Sequence, residues 1–125
     1  MLLIADIDVG SEIMAALTDY TNDIKESVDE AVISTANELK DRIKADSPKR
    51  TKKYSKGWRV KALFKGKGNH RMIVHNATHY QLTHLLEYGH AKAGGTERVD
   101  AQPHIQQNEE WAKKELEKRI TEALQ

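Results

Sequence analysis

Residues 11–45 contain neither glycine nor proline. Within them Ile13, Leu17, Ile24, Val28, Val32, Leu39 and Ile43 recur at helical spacing, which predicts one long amphipathic helix. Ser11 is placed to cap its start. Ser47-Pro48 ends it, because the residue before a proline is pushed out of helical geometry. Some 35 residues at roughly 1.5 Å each reach about 50 Å, whereas a compact domain of this length is only about 35 Å across. The helix therefore either breaks near residues 20–22 or projects toward another surface.

A chain of 125 residues sits at the usual size of one domain, so residues 1–125 are expected to form a single unit. Its core is thin, with 38% apolar residues, one phenylalanine (Phe64) and 31% charged residues. Such a chain gains from burying surface against copies of itself. With no cysteine, a disulfide framework, thiolate zinc sites and thiol catalysis are excluded together. The opening Met-Leu-Leu-Ile-Ala meets Asp6 too soon to serve as a signal peptide, and no run approaches the ~20 apolar residues of a membrane span. The expectation is assembly in the cytoplasm of the producing cell, with no membrane contact.

The net charge of +1 hides a segregation. No acidic residue lies between Asp46 and Glu87, yet that stretch holds Lys49, Arg50, Lys52, Lys53, Lys56, Arg59, Lys61, Lys65, Lys67 and Arg71. The rest of the chain is left with 10 basic against 19 acidic side chains, a balance of −9. A basic segment thus sits on an acidic molecule. Residues 49–56 have no usable period and read, within 47–57, as an exposed basic loop. Three readings stay open for it. Its cations, interleaved with Tyr54 and Trp58, could hold a phosphate backbone by counterion release and stacking. They could equally be a solvated loop that protects a hairpin edge, or a surface that docks on an acidic protein neighbour.

Residues 58–64 and 70–75 alternate around the turn at 65–69, which predicts a β-hairpin. Asn76 or Thr78 can cap a short helix through Tyr80, Leu82, Leu85 and Leu86, which Gly89 terminates. A loop follows, and Pro103 is expected to start a last helix running to about residue 124. On that helix Ile105, Ala112, Leu116, Ile120 and Ala123 fall within about 40° of one line, and Trp111 lies roughly 140° away. Trp111 is either a subunit-interface residue or the cover of a second side of the helix. The fold class expected is α+β, with a long N-terminal helix, a β-hairpin or small antiparallel sheet, a short helix and a C-terminal helix.

Motifs for chemistry are sparse. His75 and His79 have the spacing of two metal ligands on a helix, but His75 ends a strand and the residues between them form a turn. Gly66-Lys-Gly68 lacks the third glycine of a dinucleotide fingerprint and leads into a strand, not a helix. There is no nucleophile elbow and no Walker lysine. No enzyme activity, no metal and no cofactor is expected.

Residues 75–105 combine a strand ending in Asn76 with Tyr-Gln-Leu-Thr-His-Leu-Leu-Glu-Tyr-Gly-His at 80–90. A Gly94-Gly95 loop reaching Arg98-Val99, and Ala-Gln-Pro-His-Ile at 101–105, complete the set. This combination resembles the small head-tail joining, neck or tail-completion proteins of siphophages and their prophages, and the order of elements is similar over nearly the whole chain. The resemblance implies a virion structural subunit of an oligomeric ring, a hexamer or dodecamer, in the phage neck. Its neighbours would be neck, head-closure and tail proteins, and double-stranded DNA would pass through the lumen with non-specific contact at most. It carries no catalytic residue. In the motif, Gly89 would end a helix, Gly94 and Gly95 let the loop fold back, and Pro103 set the next helix. Leu82, Leu85, Leu86 and Tyr88 would pack under Ile105, with Arg98 and His104 tying the loop down by hydrogen bonds. The competing class is a cytoplasmic nucleic-acid-binding module using residues 49–71.

Overall fold

The computed structural model of the chain describes residues 5–8, 22–49, 52–62, 71–92 and 97–125. Its longest element is helix α1, Asn22–Asp46. Val28, Ala31, Val32, Thr35, Ala36, Leu39 and Ile43 are buried along one stripe of it, as the three-four spacing requires. The proposed start at Ser11 lies outside the described residues. At the other end the helix stops one residue before Ser47-Pro48. There the Ser47 hydroxyl donates to the Ile43 carbonyl at 2.6 Å, and the Lys49 ammonium donates to the carbonyls of Ala45 and Ser47. Both satisfy acceptors that a helix C-terminus leaves open.

The predicted hairpin is present as strands β2, Trp58–Ala62, and β3, Arg71–Asn76, paired antiparallel from Trp58↔Asn76 to Ala62↔Met72. Its connection, residues 63–70, lies outside the described residues. A strand not anticipated, β1 (Ala5–Asp8), pairs antiparallel with the other edge of β3, from Ala5↔Val74 to Asp8↔Arg71. The sheet order is therefore β1-β3-β2. Because strand side chains alternate, Ala5, Ile7, Met72, Val74 and Trp58 share one buried face, which packs on α1. Ala5, the last of the five apolar residues at the start, opens this strand.

Helix α2, Thr83–Tyr88, follows a 3-10 turn over Tyr80–Leu82 and ends at Gly89, whose φ of 76° lies in the left-handed region. A Cβ there would meet the Val99 carbonyl oxygen at 2.6 Å. A two-residue ribbon, β4 (His90–Ala91) with β5 (Arg98–Val99), leads toward helix α3, Gln106–Ala123. Helix α3 buries Asn108, Ala112, Leu116 and Ile120. It runs antiparallel to α1, since Arg42 donates to Asn108 at 3.3 Å near one end and Arg119 meets Glu38 at 2.7 Å toward the other.

Several expectations need correction. Helix α3 begins at Gln106, so Pro103 is an exposed residue ahead of the helix and not its first position. Leu82 and Leu86 pack against the core, but Leu85 and Tyr88 face solvent, at 38% and 47% exposure. Trp111 is half-buried against the core, with the Arg42 guanidinium 4.1 Å from its ring centroid. The second side of α3 is thus covered, in part, by its own chain. Finally, the 47–57 loop is not uniformly exposed: Ser47, Tyr54, Ser55 and Gly57 are buried.

Candidate functional site

The basic loop is anchored by an aromatic and polar cluster that joins distant parts of the chain. Tyr54, Trp58 and His104 meet edge to face in all three pairings, with centroids 5.5 to 6.0 Å apart. The Tyr54 hydroxyl lies 2.7 Å from His104 Nε2, and His104 Nδ1 lies 2.8 Å from the Gln102 carbonyl and 3.3 Å from Glu87 Oε1. A carbonyl can only accept, so we assign the imidazole proton to Nδ1, which leaves Nε2 to accept from Tyr54. Burial pushes His104 below the ordinary histidine range, against the opposing pull of the Gln102 carbonyl, Glu87 and Asp46, so the ring is neutral. The Tyr54 phenol is pushed well above its ordinary value by burial and then by the charge on Glu87.

Glu87 is the pivot. Its Oε1 accepts from the backbone N–H groups of His104 (2.8 Å) and Ile105 (3.0 Å), and its Oε2 from that of Gln106 (3.0 Å). A carboxylate from α2 therefore caps the N-terminus of α3 in place of a local serine or aspartate, since Ile105 has no side chain able to do so. Gln102 N–H donates to the Leu86 carbonyl at 2.7 Å, closing the same junction. On the loop side, Asn76 donates to the Tyr54 carbonyl at 2.7 Å, while its Oδ1 accepts from the backbone N–H of Thr78 (3.2 Å) and His79 (2.8 Å). Trp58 Nε1 donates to Ser47 Oγ at 2.8 Å. Gly57 packs so tightly that an added Cβ would lie 2.2 Å from Thr78 Oγ1. Tyr, His and Glu in series resemble a proton relay, but all three are buried and hydrogen-bonded, so the array fastens segments together instead of offering a base to a substrate.

The charged residues ride on this frame. Lys52, Lys53, Lys56 and Arg59 are exposed, and Lys52 takes a left-handed φ of 63° where the loop turns. Arg59 donates to the carbonyls of Lys56 and Trp58 at 2.7 and 2.9 Å and has no ion pair among the described residues. Lys49 lies at the loop's start with its ammonium on the helix carbonyls described above. Arg50, Gly94 and Gly95 lie outside the described residues. Arg98 donates to the Tyr88 carbonyl at 3.1 Å, and His104 is fully buried. Tyr54 and Trp58, which one of the three sequence readings made a stacking platform, are 5% and 2% exposed and offer no ring face to a nucleic acid.

Exposed apolar side chains are found on and just ahead of α2. Tyr80, Leu85 and Tyr88, the exposed large apolar residues among the described ones, all lie within nine residues of one another. Tyr88 also borders a groove of about 300 Å³ with Pro103, Gln106, Gln107 and Glu110. Exposed aromatics concentrated in this way mark contact surfaces more often than solvated ones. Among the described residues no cluster of histidine and carboxylate side chains could hold a metal ion, and no helix is long and apolar enough to cross a membrane.

Sequence reasoning missed Glu87, Gly57 and Asn108 as organising residues. Asn108 joins the Asp46 carboxylate at 2.9 Å to the His104 carbonyl at 2.8 Å. For Glu87 a signal existed: it is the first acidic residue after a long acid-free stretch, directly following Leu85 and Leu86.

Comparison with protein families decides the class. The family model described as "Bacteriophage HK97-gp10, putative tail-component" matches residues 11–89, more than half of the chain. The chain belongs to this HK97-gp10-like family. The match covers α1, the basic loop, the hairpin and α2, and it agrees with the head-tail joining and tail-completion resemblance. An HK97-gp10-like chain is a structural component of a phage tail, which supplies phage proteins as its neighbours. No curated protein and no solved structure matches the chain.

Proposed function

We propose that this HK97-gp10-like protein is a neck subunit, one copy in an oligomeric ring that joins the DNA-filled head to the tail, and that it works by docking and not by catalysis. The observation that carries this reading is the construction of the basic loop. Lys52, Lys53, Lys56 and Arg59 are displayed on a scaffold whose aromatics, Tyr54 and Trp58, are sealed inward. A surface built to hold single-stranded nucleic acid would present those rings for stacking. A surface that meets a protein of opposite potential needs only the charges, held in fixed register. In a ring of this kind a tight phosphate grip would also be a disadvantage, because each neutralised phosphate adds to the barrier against DNA movement.

The exposed Tyr80, Leu85 and Tyr88 supply the apolar counterpart for a neighbouring neck or tail protein. The test is particle assembly. Lys52, Lys53 and Lys56 replaced together by Ser are expected to leave the isolated protein folded while phage lysates accumulate filled heads and free tails. Particles that join normally but fail to eject DNA would refute docking and restore a DNA-contact role.

A further inference from the structure

Among the described residues, cations without an ion pair gather past the C-terminal end of α1 and carboxylates without one toward its N-terminal end, while an ion-pair cluster joins α1 to α3 between them. Where α1 and α3 cross, Arg119 is held by Glu38 (2.7 Å) and Glu115 (3.1 Å) and also donates to Ser34 and Thr35. Lys113 likewise meets Glu109 at 3.1 Å. At the C-terminal end of α1, by contrast, Lys44, Lys52, Lys56 and Arg59 are exposed and have no ion pair among the described residues. At the N-terminal end the sequence is Asp23, Lys25, Glu26, Asp29 and Glu30. Asp23, Glu26 and Glu30 are exposed and have no ion pair among the described residues either. The two ends are separated by the 25 residues of α1, roughly 36 Å.

The helix dipole accounts for little of this. It favours acids at the first turn and bases at the last, and its influence fades within that turn. Asp23 and Lys44 fit that explanation. Glu26 and Glu30 lie beyond the first turn, while Lys52, Lys56 and Arg59 are outside the helix altogether.

We propose that the occupant of the basic loop is a second copy of this chain, whose acidic α1 N-terminus, with Glu26 and Glu30, seats against Lys52, Lys56 and Arg59. This rests on the ring reading above and names the contact that would build the ring. Two different patches at opposite ends of one subunit make a heterologous, head-to-tail contact, which closes into a ring or runs on as a filament. Opposed potentials steer the encounter and set its register.

The experiment is charge reversal in the full chain, read by sedimentation at several protein concentrations. The wild type is expected to associate at low salt and dissociate at high salt. Lys52→Glu with Lys56→Glu cancels the positive charge of Lys44 and Arg59 and puts carboxylates where the acidic end would seat, and Glu26→Lys with Glu30→Lys gives a subunit basic at both ends. Each pair should raise the concentration for half-association about tenfold or more. All four changes in one chain, or an equal mixture of the two pair variants, should restore association, because each acidic patch again finds a basic one.

Thermal melting checks that each variant is folded, and since all four positions are exposed, restoration also separates lost contact from lost fold. Pair variants that associate like the wild type, or a four-change chain no better than either pair, would overturn the proposal. So would a wild type that stays monomeric at every concentration. If that monomer still joins heads to tails in particles, the self-contact fails alone and the neck reading stands. If association is restored as described but triple-Ser particles are joined normally, the reverse holds.

Discussion

Glu87 shows how one side chain can organise a junction. Its two oxygens accept three N–H groups at the start of α3, where the cap residue Ile105 offers no side-chain acceptor. Removing it by Glu87→Ala leaves buried donors unsatisfied, so a loss of about 2–3 kcal/mol is expected in denaturant unfolding. A melting point within a degree or two of wild type would mean that water or relaxation replaces the cap. His104 beside it gives a pH signature. Its folded form holds the proton less tightly than the unfolded chain, because burial disfavours the charged ring. The unfolded state therefore binds more protons as pH falls below the ordinary histidine value of about 6.5. His104's contribution is complete above that value and diminishes from there down to its depressed folded value. His104→Gln removes the titration, so stability of the variant should fall less steeply than wild type on acidification from about pH 7 to pH 5. Parallel slopes would show that His104 does not carry the acid sensitivity.

At the scale of elements, two glycines decide where segments can lie. Gly57 passes against Asn76 and Thr78 at a separation no side chain permits, and its carbonyl accepts from Ala77 N–H at 2.8 Å. Gly89 needs a positive φ and contacts the Val99–Ala101 backbone. Gly57→Ala and Gly89→Val should each lower stability by about 2 kcal/mol or more, or prevent soluble expression. Pro103 stands ahead of α3 on the surface, and Pro103→Ala should stay within about 0.5 kcal/mol. Equal effects at all three positions in a thermal-melt series would contradict this placement. The α1–α3 pair is pinned by Arg119, but that guanidinium is about a quarter exposed at 23% and its bridges are screened, so Arg119→Ala should cost no more than about 1 kcal/mol.

For the whole molecule, charge placement and folding separate. The exposed cations of the 52–59 surface contribute position and potential without contributing to the core, whereas Tyr54 and Trp58 beneath them are core residues. Trp58→Ala should therefore unfold or strongly destabilise the protein, by about 3–5 kcal/mol, with assembly lost as a consequence. The lysine-to-serine variant should melt like the wild type and still fail in assembly. A Trp58→Ala protein of normal stability that fails only in nucleic-acid binding would return Trp58 to the surface role read from sequence.

What the sequence determined by itself was local or compositional. The spacing of Val28, Val32, Leu39 and Ile43 specified α1 and its buried stripe, and alternation specified the strands on either side of 63–70. The absence of acids between Asp46 and Glu87 announced a charged surface. These features depend on neighbours within a turn or a strand, so a linear reading reaches them. Strand β1 was hidden because four residues carry no period of their own and become a strand only by pairing with β3, some 65 positions away. The role of Trp58 and Tyr54 stayed open because an aromatic among lysines can be exposed until Ser47, Asn76 and His104 arrive from elsewhere to cover and bond it. The role of Glu87 was missed for the same reason. Its partners lie 17 to 19 residues downstream, and only tertiary structure brings a helix start to a carboxylate that the sequence leaves without an address.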